Sequence, residues 1–425
     1  MKKTGIAITV LILTACGSVA THPSTSPVAG VTGTPGATSP SAASPSASPT
    51  GSKAQSPKPS PAASPTASPK VSSTLLFAAL EAKGTANAWT YNTVAIAGLD
   101  GYGRAKTTFT PMSVPDVGCM GAILPPSAHV AAGRVYFADG KGVIRSLATD
   151  GTLKTVATLP ITSTQQMLSF AVSPDGSQVA ATVLTVPKGA IGCSGSSSGT
   201  FTFDAYSVTS ATANTLVYHQ SWTTIPQTLM ALTGWDDIGP FGTYPTVWAS
   251  QGGGPGSTLG VLVRIDATTL KPGAVFSDPA KCQVWSSNSS AAFACLKNPV
   301  PQGNKYATAG SVRQHDGTEL WPFSVVALNA AWSPLLAPDG RHVTVCCVDV
   351  STGFAYAALA SGSNPVTLAN GFVAEGWLDS GTIIGVSQPN PTAQPPFNLS
   401  YVALNSPGVV VSMGFSGLFV GTVQS

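Results

Sequence analysis

The chain has 425 residues, of which 9% are charged, far below the quarter or so usual in soluble globular domains. Its formal charge is +3, but without Lys2 and Lys3 at the start and Lys53, Lys58 and Lys70 in a proline-rich segment it becomes −2 for residues 73–425, which excludes an electrostatic footprint for nucleic acid. After the leader no stretch supplies the roughly 20 uninterrupted apolar residues of a transmembrane helix.

Residues 1–16 come first. Lys2 and Lys3 precede an apolar core from Ile6 to Leu13, and small residues lead into Cys16, the layout of a secretory signal peptide. The segment Leu13-Thr14-Ala15-Cys16 resembles the lipid-attachment box of bacterial lipoproteins. That resemblance implies a diacylglyceryl group on the Cys16 sulfur, Cys16 as the mature N-terminus, and acyl chains such as palmitate in the bilayer. The protein is then expected at the cell membrane, lipid-anchored and facing the extracytoplasmic side. Each buried CH₂ contributes about 0.8 kcal/mol, so two or more chains make a stable anchor.

From 17 to 72 the composition is Ser, Pro, Ala and Thr, with eleven prolines and no acidic or aromatic residue. Such a stretch lacks the apolar surface to offset chain entropy, which predicts a disordered or polyproline-like tether. Fully extended it would reach roughly 170 Å, and as a coil about 40 Å.

Residues 73–425 show no lasting helical period. Short runs of Val, Thr, Ala, Phe and Tyr alternate with Gly, Pro, Asn and Asp about every ten residues, which predicts many antiparallel strands. Two turns repeat one design, Ser173-Pro174-Asp175-Gly176 and Ala337-Pro338-Asp339-Gly340. Two further segments align, Gly234-Trp235-Asp236-Asp237-Ile238-Gly239 and Gly376-Trp377-Leu378-Asp379-Ser380-Gly381, and Ala331-Trp332-Ser333-Pro334 opens a repeat similarly. In these residues the chain resembles the WD-like repeats of TolB-like periplasmic proteins and of many exported lipoproteins. The fold class that follows is all-β, a β-propeller of about seven four-stranded blades, six or eight being the alternatives. The units fall near 76–115, 128–160, 167–222, 228–278, 280–325, 330–371 and 372–415. A spare strand, Gly417 to Val423, is expected to complete the first blade and close the ring, protecting a sheet edge.

This layout sorts the turns onto two faces. Asp-Gly pairs at Asp100, Asp150, Asp175, Asp316 and Asp339 fall on one face and the pair at Asp139 on the other; Asp-Gly suits tight turns, so these carboxylates read as turn formers. The second face carries the long connections 186–200, 251–258, 298–308 and 388–398, where binding is expected. Trp248, Tyr306 and Phe397 are its candidate ligand contacts. Trp235, Trp332 and Trp377 recur at repeat starts, which favours blade packing over a sugar-stacking platform. Trp285 and Trp321 stay open between the two.

Six cysteines remain beside Cys16, an even number in an exported protein. Pairing Ser286 with Ala291 in a hairpin also pairs Cys282 with Cys295, which predicts a cross-strand disulfide. Cys119 and Cys193 both lie in long-face loops and form a second candidate pair. Cys346 and Cys347 are adjacent and point to opposite sides of one strand. No Cys-x-x-Cys occurs and the histidines are scattered, so no metal and no cofactor are expected. Gly195-Ser196-Ser197-Ser198-Gly199 matches a nucleophile elbow but lacks the strand and helix it needs. Asp237 aligns with Asp379 and reads as a turn residue, so no catalytic residue is assigned. The functional expectation is a propeller that binds a protein, peptide or envelope glycan, with a polysaccharide lyase or hydrolase and an envelope assembly factor as alternatives.

Overall fold

The computed structural model describes residues 75–85, 88–122, 128–191, 198–224, 231–244, 248–250, 261–275, 283–288, 292–327, 332–349, 354–359, 366–369, 371–387 and 397–424. Cys16 and the segment 17–72 therefore lie outside the described residues. So do Cys193, Cys282 and the Gly195–Ser197 part of the serine-glycine loop.

The strands run in chain order around a ring. Blade 1 holds β1 (Leu76–Thr85), β2 (Ala88–Gly98) and β3 (Gly103–Thr108); a short strand, β4 (Met120–Ala122), lies in the connection to blade 2. Blade 2 is β5 (Ala128–Ala131), β6 (Arg134–Ala138), β7 (Val143–Ala148) and β8 (Leu153–Thr158). Blade 3 is β9 (Gln166–Val172), β10 (Val179–Thr185), β11 (Phe201–Val208) and β12 (Asn214–Trp222). Blade 4 is β13 (Ala231–Trp235), β14 (Pro240–Tyr244), β16 (Val261–Ile265) and β17 (Pro272–Val275), with β15 (Trp248–Ser250) as an excursion. Blade 5 is β18 (Gln283–Asn288), β19 (Ala292–Leu296), β21 (Lys305–Gln314) and β22 (Glu319–Ala327), with β20 (Val300–Gln302) hairpinned onto β21. Blade 6 is β23 (Trp332–Leu336), β24 (His342–Asp349), β25 (Phe354–Leu359) and β26 (Val366–Thr367). Blade 7 is β27 (Phe372–Trp377), β28 (Thr382–Ser387), β29 (Asn398–Ala403) and the start of β30 (Val411–Val423).

The long β30 closes the ring. Its first half pairs with β29, and Gly417 to Val423 pair with β1, from Glu81↔Gly417 to Leu76↔Val423. The chain's last strand thus becomes the inner strand of blade 1. The described residues form seven four-stranded blades, with unit limits close to those read from the repeats.

Side-chain alternation explains why the blades stack. Inner strands such as β9 and β27 are buried almost throughout, while the outer strand β22 exposes alternate residues. Six seams between neighbouring blades hold an apolar cluster, for example Leu168, Phe170 and Ile144 between blades 2 and 3, and Phe372, Trp377 and Ile383 between blades 6 and 7. At the seam of blades 4 and 5 the described residues place a charged group instead. Asp236, 1% exposed in its side chain, takes Arg264 bidentately at 2.5 and 2.9 Å, and His315 Nε2 lies 3.1 Å from it. Burial works against the Asp236 charge, but the guanidinium outweighs it and holds the carboxyl below its ordinary range.

One register departs from expectation. In the hairpin of β18 and β19, Val284 stands opposite Cys295 and Ser286 opposite Ala294, with a bulge between them. The extra residue, Trp285, shifts the pairing, so Ser286 faces Ala294 where the sequence predicts Ala291.

Candidate functional site

Antiparallel order within each blade sends first-to-second and third-to-fourth turns to one face and the other connections to the opposite face. On the short-turn face eight aspartates make the same local bond. Oδ1 of Asp100, Asp150, Asp175, Asp236, Asp266, Asp316, Asp339 and Asp379 each accepts the N–H two residues on, at 2.8–3.1 Å. These are Asx turns. Ser173 and Ser177 donate further bonds to Asp175 and pull its carboxyl down to about 2, and the Thr152, Thr269 and Thr318 N–H groups hold Asp150, Asp266 and Asp316 below the usual range. Gly176 and Gly340 close the two repeated turns at φ of +72° and +68°, where L residues are strained. The sequence alignment gives the turn of blade 4 to Asp237. The structure gives it to Asp236, and Asp237 stays exposed.

The opposite face is built differently. The connection from blade 1 to blade 2 crosses to the long excursion of blade 3: Cys119 N–H donates to Ile191 O at 2.8 Å, Ile191 N–H to Val117 O at 2.8 Å and Gly189 N–H to Asp116 O at 3.0 Å. Gln165 staples this cap. Its Oε1 accepts the Asp116 N–H at 3.0 Å and its Nε2 donates to Asp116 O and Val186 O at 2.9 and 3.1 Å. Val117, Met167, Val186, Ile191 and Phe201 bury a small core beneath it. The cap then reaches blade 4, where β4 pairs with β15 in register Trp248↔Ala122. This two-stranded ribbon joins non-consecutive blades across the face. It was not legible in the sequence, because three-residue strands leave no periodic signal.

Beside the cap, at the seam of blades 2 and 3, lies a cavity of about 280 Å³. Met112, Ser113, Asp139, Lys141, Ile161 and Thr162 to Thr164 line it, with Gln166. Each lining group has a cause. Asp139 holds the one Asp-Gly turn that the sequence places on this face; it accepts the Lys141 and Val143 N–H groups at 2.9 and 3.0 Å and pairs with Arg145 at 3.2 Å. Gln166 Oε1 accepts the Thr162 and Ser163 N–H groups at 2.7 and 3.1 Å, holding the connection to blade 3 in place. What the cavity offers a ligand is hydroxyls, one exposed ammonium at Lys141 and the apolar sides of Met112 and Ile161. The described lining contains no histidine, and its one carboxylate, Asp139, is already engaged.

The predicted contact residues are dispersed on this face. Trp248 contributes its backbone to the ribbon. Tyr306 sits half-buried at the base of the hairpin of β20 and β21, opposite Pro301. Phe397 packs against the apolar cluster of blades 7 and 1, so it serves the core. Trp377 and Trp321 are seam residues, their Nε1–H groups donating to Leu335 O and Gly340 O at 2.9 and 2.8 Å. Cys119 lies in the cap, where its N–H meets Ile191 O, and Cys295 is fully buried in β19; Cys193 and Cys282, the partners expected for them, lie outside the described residues. Among the described residues no group of His, Cys, Asp and Glu side chains could hold a metal ion.

Two groups on inner strands have displaced pKa values. Burial pushes Glu375 of β27 up to about 8, against a 2.6 Å bond from the Phe419 N–H. Burial lowers His129 of β5 to about 4; its ring meets Phe170 edge-on at 4.8 Å.

No family model matches the chain, and no curated protein does. Solved structures similar to it include an oligogalacturonate lyase in complex with manganese, at 10% identity over 74% of this chain and 82% of that one, with a TM-score of 0.47. An oligogalacturonate lyase from Vibrio parahaemolyticus gives 8% identity, 78% and 92% coverage and 0.45. TolB from Acinetobacter baumannii gives 13% identity, 81% and 82% coverage and 0.37. All three are too distant to assign a family or an activity.

Proposed function

We propose that this protein is an extracytoplasmic lipoprotein, anchored in the cell membrane through Cys16, whose propeller binds a protein, peptide or envelope glycan on its long-connection face. One observation carries the reading: that face has a stapled cap and, beside it at the seam of blades 2 and 3, a cavity that presents hydroxyls and the exposed Lys141 ammonium. Residues 17–72 act as a tether that gives the propeller reach. Cys119 with Cys193 and Cys282 with Cys295 form the two disulfides of this reading, the first locking the cap. Binding is preferred to catalysis because the described lining of the cavity offers neither a histidine nor an uncommitted carboxylate.

The test uses the full chain in its native envelope. Replacement of Cys16 by Ala should move the protein from membrane to soluble fractions, and continued membrane retention would defeat the anchor. The propeller should capture one envelope protein, peptide or glycan reproducibly, and Ser163→Trp, which fills the cavity, should abolish that capture. Capture unchanged by Ser163→Trp would remove the site from this face. Cleavage of an envelope polysaccharide by the purified protein would replace the binding reading with the enzymatic one.

A further inference from the structure

We propose a second ligand site on the short-turn face, at the seam of blades 3 and 4, built for a neutral saccharide. It starts from two tryptophans that the sequence aligns and the structure uses differently. Trp377 is 5% exposed and gives its Nε1–H to Leu335 O of the preceding blade. Trp235, its counterpart, is half-buried: part of the ring packs near Phe203, Leu232 and Val263, and its Nε1–H makes no hydrogen bond among the described residues. The preceding blades differ to match. Leu335 follows a bulge in β23, whereas the equivalent Ala171 lies in unbroken register opposite Ala180 in β9.

Trp235 instead lines a cavity of about 320 Å³ together with Ser177, Gln178, Ser207, Thr209 and Leu270. That size is at the small end of ligand sites. None of the described residues lining it is charged, so among them there is no group to pair with an anion or a cation. An indole face beside hydroxyls, a carboxamide and an N–H donor suits a ring with an apolar CH face and a hydroxyl edge, which is the chemistry of an uncharged sugar. The turn around Asp175 fixes Ser177, since Ser177 N–H and Oγ both bind that carboxylate at 3.0 and 2.7 Å. The site therefore rests on a rigid turn.

The experiment titrates the full chain with cellobiose, chitobiose, mannobiose and maltose by saturation-transfer NMR and calorimetry, with a glucuronate disaccharide as the charged control. At least one neutral disaccharide should bind and the charged one should not. Trp235→Ala should weaken binding roughly tenfold or more, since tenfold corresponds to about 1.4 kcal/mol of lost stacking and packing. Ala267→Arg, on the exposed rim and outside the core, should block the cavity in a protein that still folds, so the test survives if Trp235→Ala misfolds. Ser163→Trp, on the opposite face, should leave this binding unchanged and so separates the two sites. The proposal is overturned if no neutral disaccharide binds, or if binding is indifferent to Ala267→Arg.

Discussion

Replacing Glu375 by Gln should stabilise the propeller more at pH 8 than at pH 5. The carboxyl sits at a bulge in β27, between Ala374 opposite Gly385 and Gly376 opposite Ile384, and accepts the Phe419 N–H of the closing strand. Burial raises it from 4.5 to about 8. Between those values the folded state holds a proton that the unfolded chain releases, so stability is full below 4.5 and is lost as pH rises through 8. The slope is about 1.4 kcal/mol per pH unit, an upper limit of about 5 kcal/mol over the interval. Because Glu375 keeps partial contact with solvent, screening brings the expected loss down to about 2–3 kcal/mol. Gln keeps an oxygen for the Phe419 N–H and carries no charge at either pH. Urea unfolding of both proteins at pH 5 and pH 8 measures the difference, and other titrating groups cancel in it. Parallel pH profiles would refute the reasoning, because the folded carboxyl would then ionise near its ordinary value.

Four further outcomes follow from other contacts of the fold. His129 is lowered from 6.5 to about 4 by burial, so its contribution is present above pH 6.5 and is lost as pH falls to 4; His129→Gln should flatten that acid limb by up to about 3 kcal/mol in pH-dependent unfolding. Gln165→Ala removes three bonds between the cap and blade 3, which should cost about 1–3 kcal/mol and speed proteolytic nicking within 111–122, read by limited proteolysis and mass spectrometry. Deleting 417–425 removes the inner strand of blade 1 and should abolish a single cooperative transition. The milder Thr422→Val, which loses its bonds to Trp377 O and Leu378 O, should lower stability by about 1 kcal/mol.

The blades were legible because their signals are local. Strand–turn–strand units such as Ser173 to Gln178 carry their own turn chemistry in Asp175 and Gly176, and the spare segment Gly417 to Val423 announced a closing strand because no unit remained for it. What depends on contacts between distant parts of the chain was not legible. Gln165 looks like any polar residue before a strand, yet it ties Asp116 to Val186. The ion group of Asp236, Arg264 and His315 joins positions in three separate turns and strands, and nothing in their spacing links them. Trp235 and Trp377 show the limit of alignment itself: the repeat places both rings at the same position in a blade, but the carbonyl that receives the indole N–H belongs to the neighbouring blade.

Bulges account for much of that hidden layer. The inner-strand pairings of blades 4, 5, 6 and 7 each slip, between Leu232 and Gly234, Val284 and Ser286, Trp332 and Leu335, and Ala374 and Gly376. One extra residue bends the strand and re-aims its side chain, which is how Glu375 comes to meet the closing strand. The inner strands of blades 2 and 3 pair without a slip. Both cavities border blade 3, one on each face. An unslipped β9 supplies neither an inserted side chain nor the carbonyl that buries Trp377 elsewhere, so the space at its two ends stays open to a ligand. A residue inserted into β9 after Phe170, in imitation of the slip in β23, should therefore draw Trp235 into the seam and close the short-turn cavity. The measurement is Trp235 exposure by fluorescence quenching against a Trp235→Phe reference, and unchanged exposure would break the link between strand register and open space.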